Sequence, residues 1–141
     1  EMAGSTEVPH LPGEATKVRP EDGEYDRSYS EKEVIDIGYD EAHLGDKAPN
    51  GSQLRPHIVF FGEAVPNIEK AIDIVSAADI MLIVGTSLNV YPAAGLYRYA
   101  PNGIPIYLID PEDVAIADPR ITQIRQVATK GMETFRRMLG Q

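Results

Sequence analysis

The 141-residue sequence predicts an α/β fold built on a parallel sheet with flanking helices. Two apolar runs, "IMLIV" at 80–84 and "IPIYLI" at 104–109, are typical of strands that are buried on both faces of a parallel sheet. Helical patterns lie before and after the first run, where a parallel sheet needs its crossover connections. These observations favour a parallel sheet over a purely antiparallel one.

Composition divides the chain at about Gln53. Residues 1–53 are polar and rich in Gly and Pro, and residues 21–46 hold ten acidic and two basic residues, or −8 of the net charge of −9. We predict an irregular acidic region, solvated or partly disordered, with one short strand in "EVIDIGY" at 33–39. Nucleic acids and anionic membranes attract basic surfaces, so this charge predicts that neither is a partner.

Residues 54–141 carry the predicted sheet and helices. "HIVFFG" at 57–62 is β-branched and aromatic, which predicts the first strand. A helix follows in "NIEKAIDIVSAAD", with Asn67 as its N-cap. Its apolar residues recur at helical spacing, namely Ile68, Ala71, Ile72 and Val75.

The elements after the central strand alternate in the same way. Pro92 suits the first turn of a helix in "PAAGLYRYA", which Asn102–Gly103 would end. "QIRQVAT" at 123–129 predicts a weaker fourth strand. The last helix, "METFRRML" at 132–139, would be amphipathic, with inward side chains at Met132, Phe135 and Leu139.

Two features indicate chemistry at strand ends. Gly85, Thr86 and Ser87 follow the central strand, and a glycine with two small hydroxyl residues would admit a phosphate or ribose near the backbone. Asp110 ends the next strand, and a carboxylate there suits ribose hydroxyls. Each feature has an ordinary alternative, a tight turn for the first and a capped turn for Asp110. The sequence has neither a G-x-G-x-x-G nor a P-loop motif, so the residues alone leave these alternatives open.

The chain contains no cysteine, which excludes disulfides and thiolate metal sites and fits a cytoplasmic location. No apolar run reaches the length of a membrane span. Because the sequence opens at Glu1 without an initiator methionine, we expect a fragment or a processed chain.

Four segments together resemble the C-terminal portion of the catalytic core of the sirtuins, the NAD-dependent protein-lysine deacetylases and deacylases. They are "AGSTEVPHLPGEATKVR" at 3–19, "QLRPHIVFFGEAVP" at 53–66, "ADIMLIVGTSLNVYPAAGL" at 78–96 and "PIYLIDPED" at 105–113. The resemblance implies a Rossmann-like NAD-binding domain of which residues 54–141 are the C-terminal half. Residues 1–53 would be the remnant of the small zinc module, entered by a basic strand.

The resemblance also implies roles for individual residues. Those that would contact NAD are Gly85, Thr86 and Ser87 at the ribose and phosphate, Asp110, Pro111 and Glu112 at the adenosine ribose, and Ala128 at the adenine. The implied partner is an acyl-lysine peptide or protein. In this chain, Val59 and Phe61 would line the tunnel that receives the acyl-lysine. The peptide backbone would add as a strand between Gly62–Glu63 and Val90. For Phe60 we expect core packing.

The sequence departs from the sirtuin pattern at its catalytic histidine, which falls on Pro12. Proline cannot act as a general base, and neighbouring His10 is a poor substitute because it lies two residues away. The family's N-terminal half, with its glycine-rich phosphate loop, is also missing. We therefore expect a chain that is inactive alone, and a complementing N-terminal half or self-association as partners.

The zinc module's cysteines are missing as well, and Ala48 stands about where one is expected. His10 and His43 lack the spacing of a structural site, so zinc is not expected. Two alternatives remain. One is a non-catalytic nucleotide- or peptide-binding module. The other is the related domain of thiamin-diphosphate enzymes, which "FFGEAVP" argues against.

Overall fold

The structure, a computed structural model, describes residues 9–11, 13–21 and 33–140. It consists of two compact units, Glu1–Asn67 and Ile68–Gln141. None of the helices in the described ranges is long and apolar enough to cross a membrane.

The first unit contains a three-stranded antiparallel sheet in the order β2-β1-β3. Its strands are β1 (Gly13–Pro20), β2 (Ile35–Asp36) and β3 (Leu54–Ile58). Strand β2 pairs with β1 at Val18 and confirms the short strand predicted within 33–39. Strand β1 is the basic strand that the sirtuin resemblance implies, and its Val18 side chain is almost fully buried. The rest of the acidic stretch, 22–32, lies outside the described residues.

Strand β3 differs from its prediction in position and partner. It ends at Ile58 and pairs antiparallel with β1, so the prediction that 57–62 belongs to the parallel sheet is wrong. Pro56 is compatible with β3 because the strand lies at a sheet edge, where a missing N–H costs no ladder bond. After Ile58 the chain turns, since Gly62 adopts a φ of +88° and the Glu63 N–H donates to the Phe60 carbonyl at 3.1 Å.

The second unit is built on a parallel sheet in the order β4-β5-β6, which confirms the predicted fold class. The strands are β4 (Met81–Val84), β5 (Ile106–Ile109) and β6 (Ile121–Ile124). The central strand β5 supplies the most buried side chains, as its continuous apolar run predicts. The predicted first helix is present as α1 (Ile68–Ser76) and buries Ala71. The side-chain amide of Asn67, its predicted cap, donates to the His10 carbonyl.

The connection between β4 and β5 is a 3₁₀ helix, Ala93–Tyr99, where the sequence predicts an α-helix. The helix stops at Ala100, whose ψ of 138° is the extended conformation that a following proline favours. Arg120 binds the C-terminal end of this 3₁₀ helix, because its guanidinium donates to the carbonyls of Tyr97, Ala100 and Pro101.

The final helix, α2 (Ala128–Met138), begins four residues before its prediction, and the preceding strand ends earlier at Ile124. Phe135 faces the core as predicted and meets the Tyr107 ring edge-on at 5.0 Å. Met132 and Leu139 were predicted inward, which is wrong: they are 36% and 39% exposed.

Gly131 explains why α2 presents a different face to the sheet from the one predicted. It is buried, and a Cβ at this position would overlap Cγ2 of Ile109, so the helix approaches β5 through its glycine. Hydrophobicity cannot indicate such a contact, because glycine has no side chain to count.

Gly131→Ala should therefore destabilise the protein even though alanine is the better helix former. The gain in propensity is about 1 kcal/mol, while overpacking against a fully buried, β-branched side chain costs about 1–3 kcal/mol. We expect a net loss of up to about 2 kcal/mol by urea unfolding. Gly95→Ala is the matched control, because its new methyl would meet the Tyr91 ring at an ordinary 3.5 Å. Equal stability of the two variants would contradict the close approach.

Candidate functional site

Parallel register brings the predicted nucleotide-contacting residues to one edge of the second unit's sheet. Val84 is level with Ile109, and Ile109 with Ile124. The ladder continues one residue further, since the Gly85 N–H donates to the Ile109 carbonyl at 2.9 Å and the Asp110 N–H to the Ile124 carbonyl at 3.3 Å. Gly85 and Asp110 are therefore neighbours at the carboxyl ends of adjacent strands, where open α/β sheets bind ligands.

The bend after β4 combines a left-handed backbone with open space. Gly85 has a φ of +67°, and no atom lies within 4 Å of the Cβ that a side chain would place there. The Thr86 hydroxyl oxygen accepts the Leu88 N–H at 3.1 Å, which supports Leu88 at its own positive φ of 55°. Thr86 thus shapes the turn, while Ser87 is exposed. The bend is therefore a tight turn, as one alternative predicted, and it also leaves open space beside Gly85.

Asp110 closes a turn of its own. One of its carboxylate oxygens accepts the Glu112 N–H at 2.9 Å, which is the turn-capping alternative that the sequence left open. Pro111 and Glu112 are exposed beside it. The loop that begins here is fastened to β6 by Gln123, whose side-chain amide bonds to both the N–H and the carbonyl of buried Val114.

Ala128 is exposed as the first residue of α2. The preceding residue, Val127, provides no side-chain cap, so the first turn of the helix presents backbone N–H groups at the edge that Gly85 and Asp110 occupy. The seven predicted residues thus lie on three separate segments, after β4, after β5 and at the start of α2, at the edge where the parallel strands have their carboxyl ends. Their contact with a nucleotide stays a prediction.

The predicted peptide-contacting residues divide between the two units. In the first, Val59 is partly buried, Phe61 is 95% exposed, and Gly62 and Glu63 complete the turn after β3. In the second, Val90 is 61% exposed after the Gly-Thr-Ser bend. The clamp that would need both units stays a prediction.

Core packing of Phe60, expected from the sequence, is wrong. Phe60 is half exposed, and the guanidinium carbon of Arg55 lies 4.3 Å from its ring centroid. The ring is covered by a cation rather than by apolar side chains, which is the geometry of a cation–π contact.

Glu63 lies at the centre of a network that the sequence did not reveal. Arg55 from β3 donates to both of its carboxylate oxygens, at 2.5 and 3.1 Å, and Arg19 from β1 approaches one of them at 3.3 Å. The hydrogen bond from Arg55 is the main cause that lowers the pKa of Glu63 below its usual 4.5, and the Phe60 N–H contributes to the same effect. No sequence pattern indicated this network, because Arg55 precedes the predicted strand at 57–62 and the turn around Glu63 was not predicted.

A groove of about 250 Å³ also lies within the second unit, between α1 and the 3₁₀ helix. None of the seven predicted nucleotide-contacting residues lines it. Its walls are apolar and aromatic with one cation, and they are formed by Ile68, Ile72, Tyr91, Pro92, Gly95, Leu96, Arg98 and Tyr99.

Ala48, where the resemblance implies a cysteine of the zinc module, lies in a turn that backbone hydrogen bonds close. Ala48 is buried, and its N–H donates to the Ser52 carbonyl at 2.9 Å, while the Gly51 N–H donates back to the Ala48 carbonyl at 2.8 Å. Across 9–11, 13–21 and 33–140, no three His, Asp or Glu side chains converge as metal ligands. The residues present do not fit a zinc ion, because the chain has no thiolate and this turn is closed by its own backbone.

Pro12, at the expected catalytic position, lies outside the described residues. Its neighbours are described: His10 is exposed, and Gly13 has a φ of +87°. A Cβ on Gly13 would overlap the His57 carbonyl, so the backbone just after position 12 is held against β3 and requires glycine.

Comparison with known proteins identifies the family. The Sir2 family model matches residues 1–92. An NAD-dependent protein deacylase from Bacteroides thetaiotaomicron is 50% identical over 140 residues, which cover 99% of this chain and 59% of that protein.

Solved structures agree with the family match. The chain is similar to a Sir2 homologue–NAD complex with a TM-score of 0.72 at 29% identity, over 96% of this chain and 52% of that one. It is similar to Sir2Tm bound to a propionylated peptide with a TM-score of 0.70 at 25% identity, over 96% of this chain and 58% of that one.

The chain therefore belongs to the Sir2 family, which confirms the sirtuin resemblance. It spans a little over half the length of these relatives, between 52% and 59%.

Proposed function

We propose that this chain forms the adenosine-binding and substrate-strand portion of an NAD-dependent protein-lysine deacylase. The observation that supports this most is the shared sheet edge of Gly85, Asp110 and Ala128, with open space beside Gly85. A Bacteroides thetaiotaomicron relative at 50% identity is an NAD-dependent protein deacylase, and a similar solved structure is an NAD complex.

The described residues fit a dinucleotide in three respects. Gly85 leaves the space of a side chain empty next to the backbone, which a ribose or phosphate needs for close approach. Asp110 accepts one turn hydrogen bond, and a carboxylate offers further acceptor sites for ribose hydroxyls. The uncapped N–H groups of α2 favour an anionic or polar group. When bound, NAD would supply an electrophilic ribose carbon with nicotinamide as its leaving group.

The substrate side of the proposal rests on the turn after β3. Phe61 is an almost fully exposed aromatic side chain, which suits the neutral aliphatic stem of an acyl-lysine. The backbone of Gly62 and Glu63 would read the peptide as an added strand. A solved structure similar to this chain contains a propionylated peptide, which supports a peptide carrying an acylated lysine as the substrate class.

The nucleotide proposal predicts that the chain binds ADP-ribose and that Gly85→Val abolishes this binding, because the branched side chain would fill the open space. Isothermal titration calorimetry measures the effect. Gly103→Val is the matched control: Gly103 has a φ of +90° and open space around its Cβ, so it carries the same backbone strain in the same unit. Equal heats from the two variants would contradict a nucleotide at the bend.

We also propose that Pro12 impairs catalysis in this chain. A residue without a titratable group cannot deprotonate a ribose hydroxyl, so the chain as written would bind without completing the reaction. This sequence feature also supports the second candidate function, a non-catalytic nucleotide- or peptide-binding module.

We predict background nicotinamide release when this chain is incubated with NAD and an acetyl-lysine peptide. Robust turnover would contradict the impairment. Mixing Pro12→His with the part of the Bacteroides thetaiotaomicron relative that this chain does not cover should raise nicotinamide release above the same mixture containing Pro12. If the two mixtures stay equal, Pro12 does not occupy the position of the base.

A further inference from the structure

The Glu63 carboxylate joins three segments of the first unit. We propose that Glu63, held by Arg55 and Arg19, is a positioning residue that keeps Phe61 and Gly62 presented to an acyl-lysine peptide. This inference rests on the proposed function and adds to it the device that holds the peptide-binding turn. The role predicted from the sequence involved only the backbone of Glu63.

The carboxylate is bound from three directions. Arg55 grips both oxygens in the bidentate geometry that a planar guanidinium favours, and Arg19 adds a second cation from the neighbouring strand. The Phe60 N–H donates to Oε2 at 2.8 Å, from within the turn itself. One side chain therefore crosslinks β1, β3 and the turn that follows β3.

The same network explains why Phe61 points outward. The Arg55 guanidinium that binds Glu63 also covers the Phe60 ring and donates to the Ile58 carbonyl at 3.4 Å, so the start of the turn is fixed on that side. Phe61 follows Phe60 directly and is 95% exposed. An exposed phenylalanine gains nothing from its own burial, so its position depends on the contacts made by its neighbours.

The partial burial of the network makes it sensitive to charge. The side chains of Arg19, Arg55 and Glu63 are only 12%, 14% and 19% exposed. Removing the negative charge would take the carboxylate partner from the Arg55 guanidinium in a partly dehydrated place, which is unfavourable. The turn would then lose its anchor while the strands keep their backbone pairing.

Binding of a short peptide with one central acetyl-lysine to the 141-residue chain tests the proposal. Glu63→Gln keeps the shape but removes the charge, and we expect about tenfold weaker binding, since hydrogen bonds to ionised groups are roughly twice as strong as neutral ones. Glu14→Gln is the matched control, because it breaks the 2.6 Å ion pair with Lys17 in the same unit without touching the turn. It should leave peptide affinity unchanged.

A double-mutant cycle separates positioning from general loss of structure. If Glu63 acts through Phe61, Glu63→Gln should have little further effect on peptide affinity in a Phe61→Ala background. Additive effects of the two substitutions, or equal affinities of Glu63→Gln and Glu14→Gln, would overturn the proposal.

A second measurement does not depend on peptide binding. The Phe60 amide proton resonance should titrate with pH as the Glu63 carboxylate protonates, with a midpoint below 4.5 because its pKa is lowered. The bond is present above that pKa and lost below it, and the step should vanish in Glu63→Gln while β1 amides stay protected. An unaltered Phe60 titration in Glu63→Gln would refute the anchor. If the wild-type chain binds no peptide, the substrate part of the proposed function fails, and this titration alone decides the inference.

Discussion

The in-register parallel pairing of β4, β5 and β6 positions the whole candidate nucleotide site. Because the three strands run in the same direction and end level with one another, the residues that follow them meet at one edge. Gly85 and Asp110 each extend the ladder by one hydrogen bond before the chain turns away. A slip of one residue in either pairing would separate the glycine bend from the Asp110 turn.

Packing beneath the sheet keeps this edge in place. Ile109, Ile124 and Phe135 form a buried cluster, and α2 approaches β5 closely through Gly131. This contact fixes where α2 begins, and hence where Ala128 lies. The loop after Asp110 contains no helix, and Gln123 binds its backbone at Val114, while Arg120 at the end of the loop donates to the Ala100 carbonyl. The site's geometry is thus set by side chains that would never touch a ligand.

The first unit is held together by backbone hydrogen bonds and ion pairs. It has no cysteine with which to build the family's metal site, and the turn at Ala48 is closed by backbone hydrogen bonds instead. A short antiparallel sheet carries the turn after β3, and the Glu63 carboxylate holds that turn to both neighbouring strands. Within the described residues of this unit, the ion pairs of Glu63 connect segments that are distant in sequence.

Sequence patterns predicted the elements that depend on local chemistry. The apolar runs of β4 and β5, helix α1 and the glycine bend all follow from residue type and spacing. The patterns failed where distant partners decide the outcome. "HIVFFG" has strand propensity throughout, but Glu63 draws its second half into a turn, and β1 rather than β4 pairs with its first half. The inward face of α2 was misjudged because a glycine, not a methionine, makes its closest contact.

We propose that the ends of β4 and β5 and the start of α2 form a single nucleotide site. Titrating the 141-residue chain with ADP-ribose and following its amide resonances by NMR tests this claim most directly. The account predicts that Gly85, Asp110 and Ala128 shift together with one common dissociation constant. Shifts confined to the groove of Ile72 and Tyr99, or no shifts at all, would contradict it.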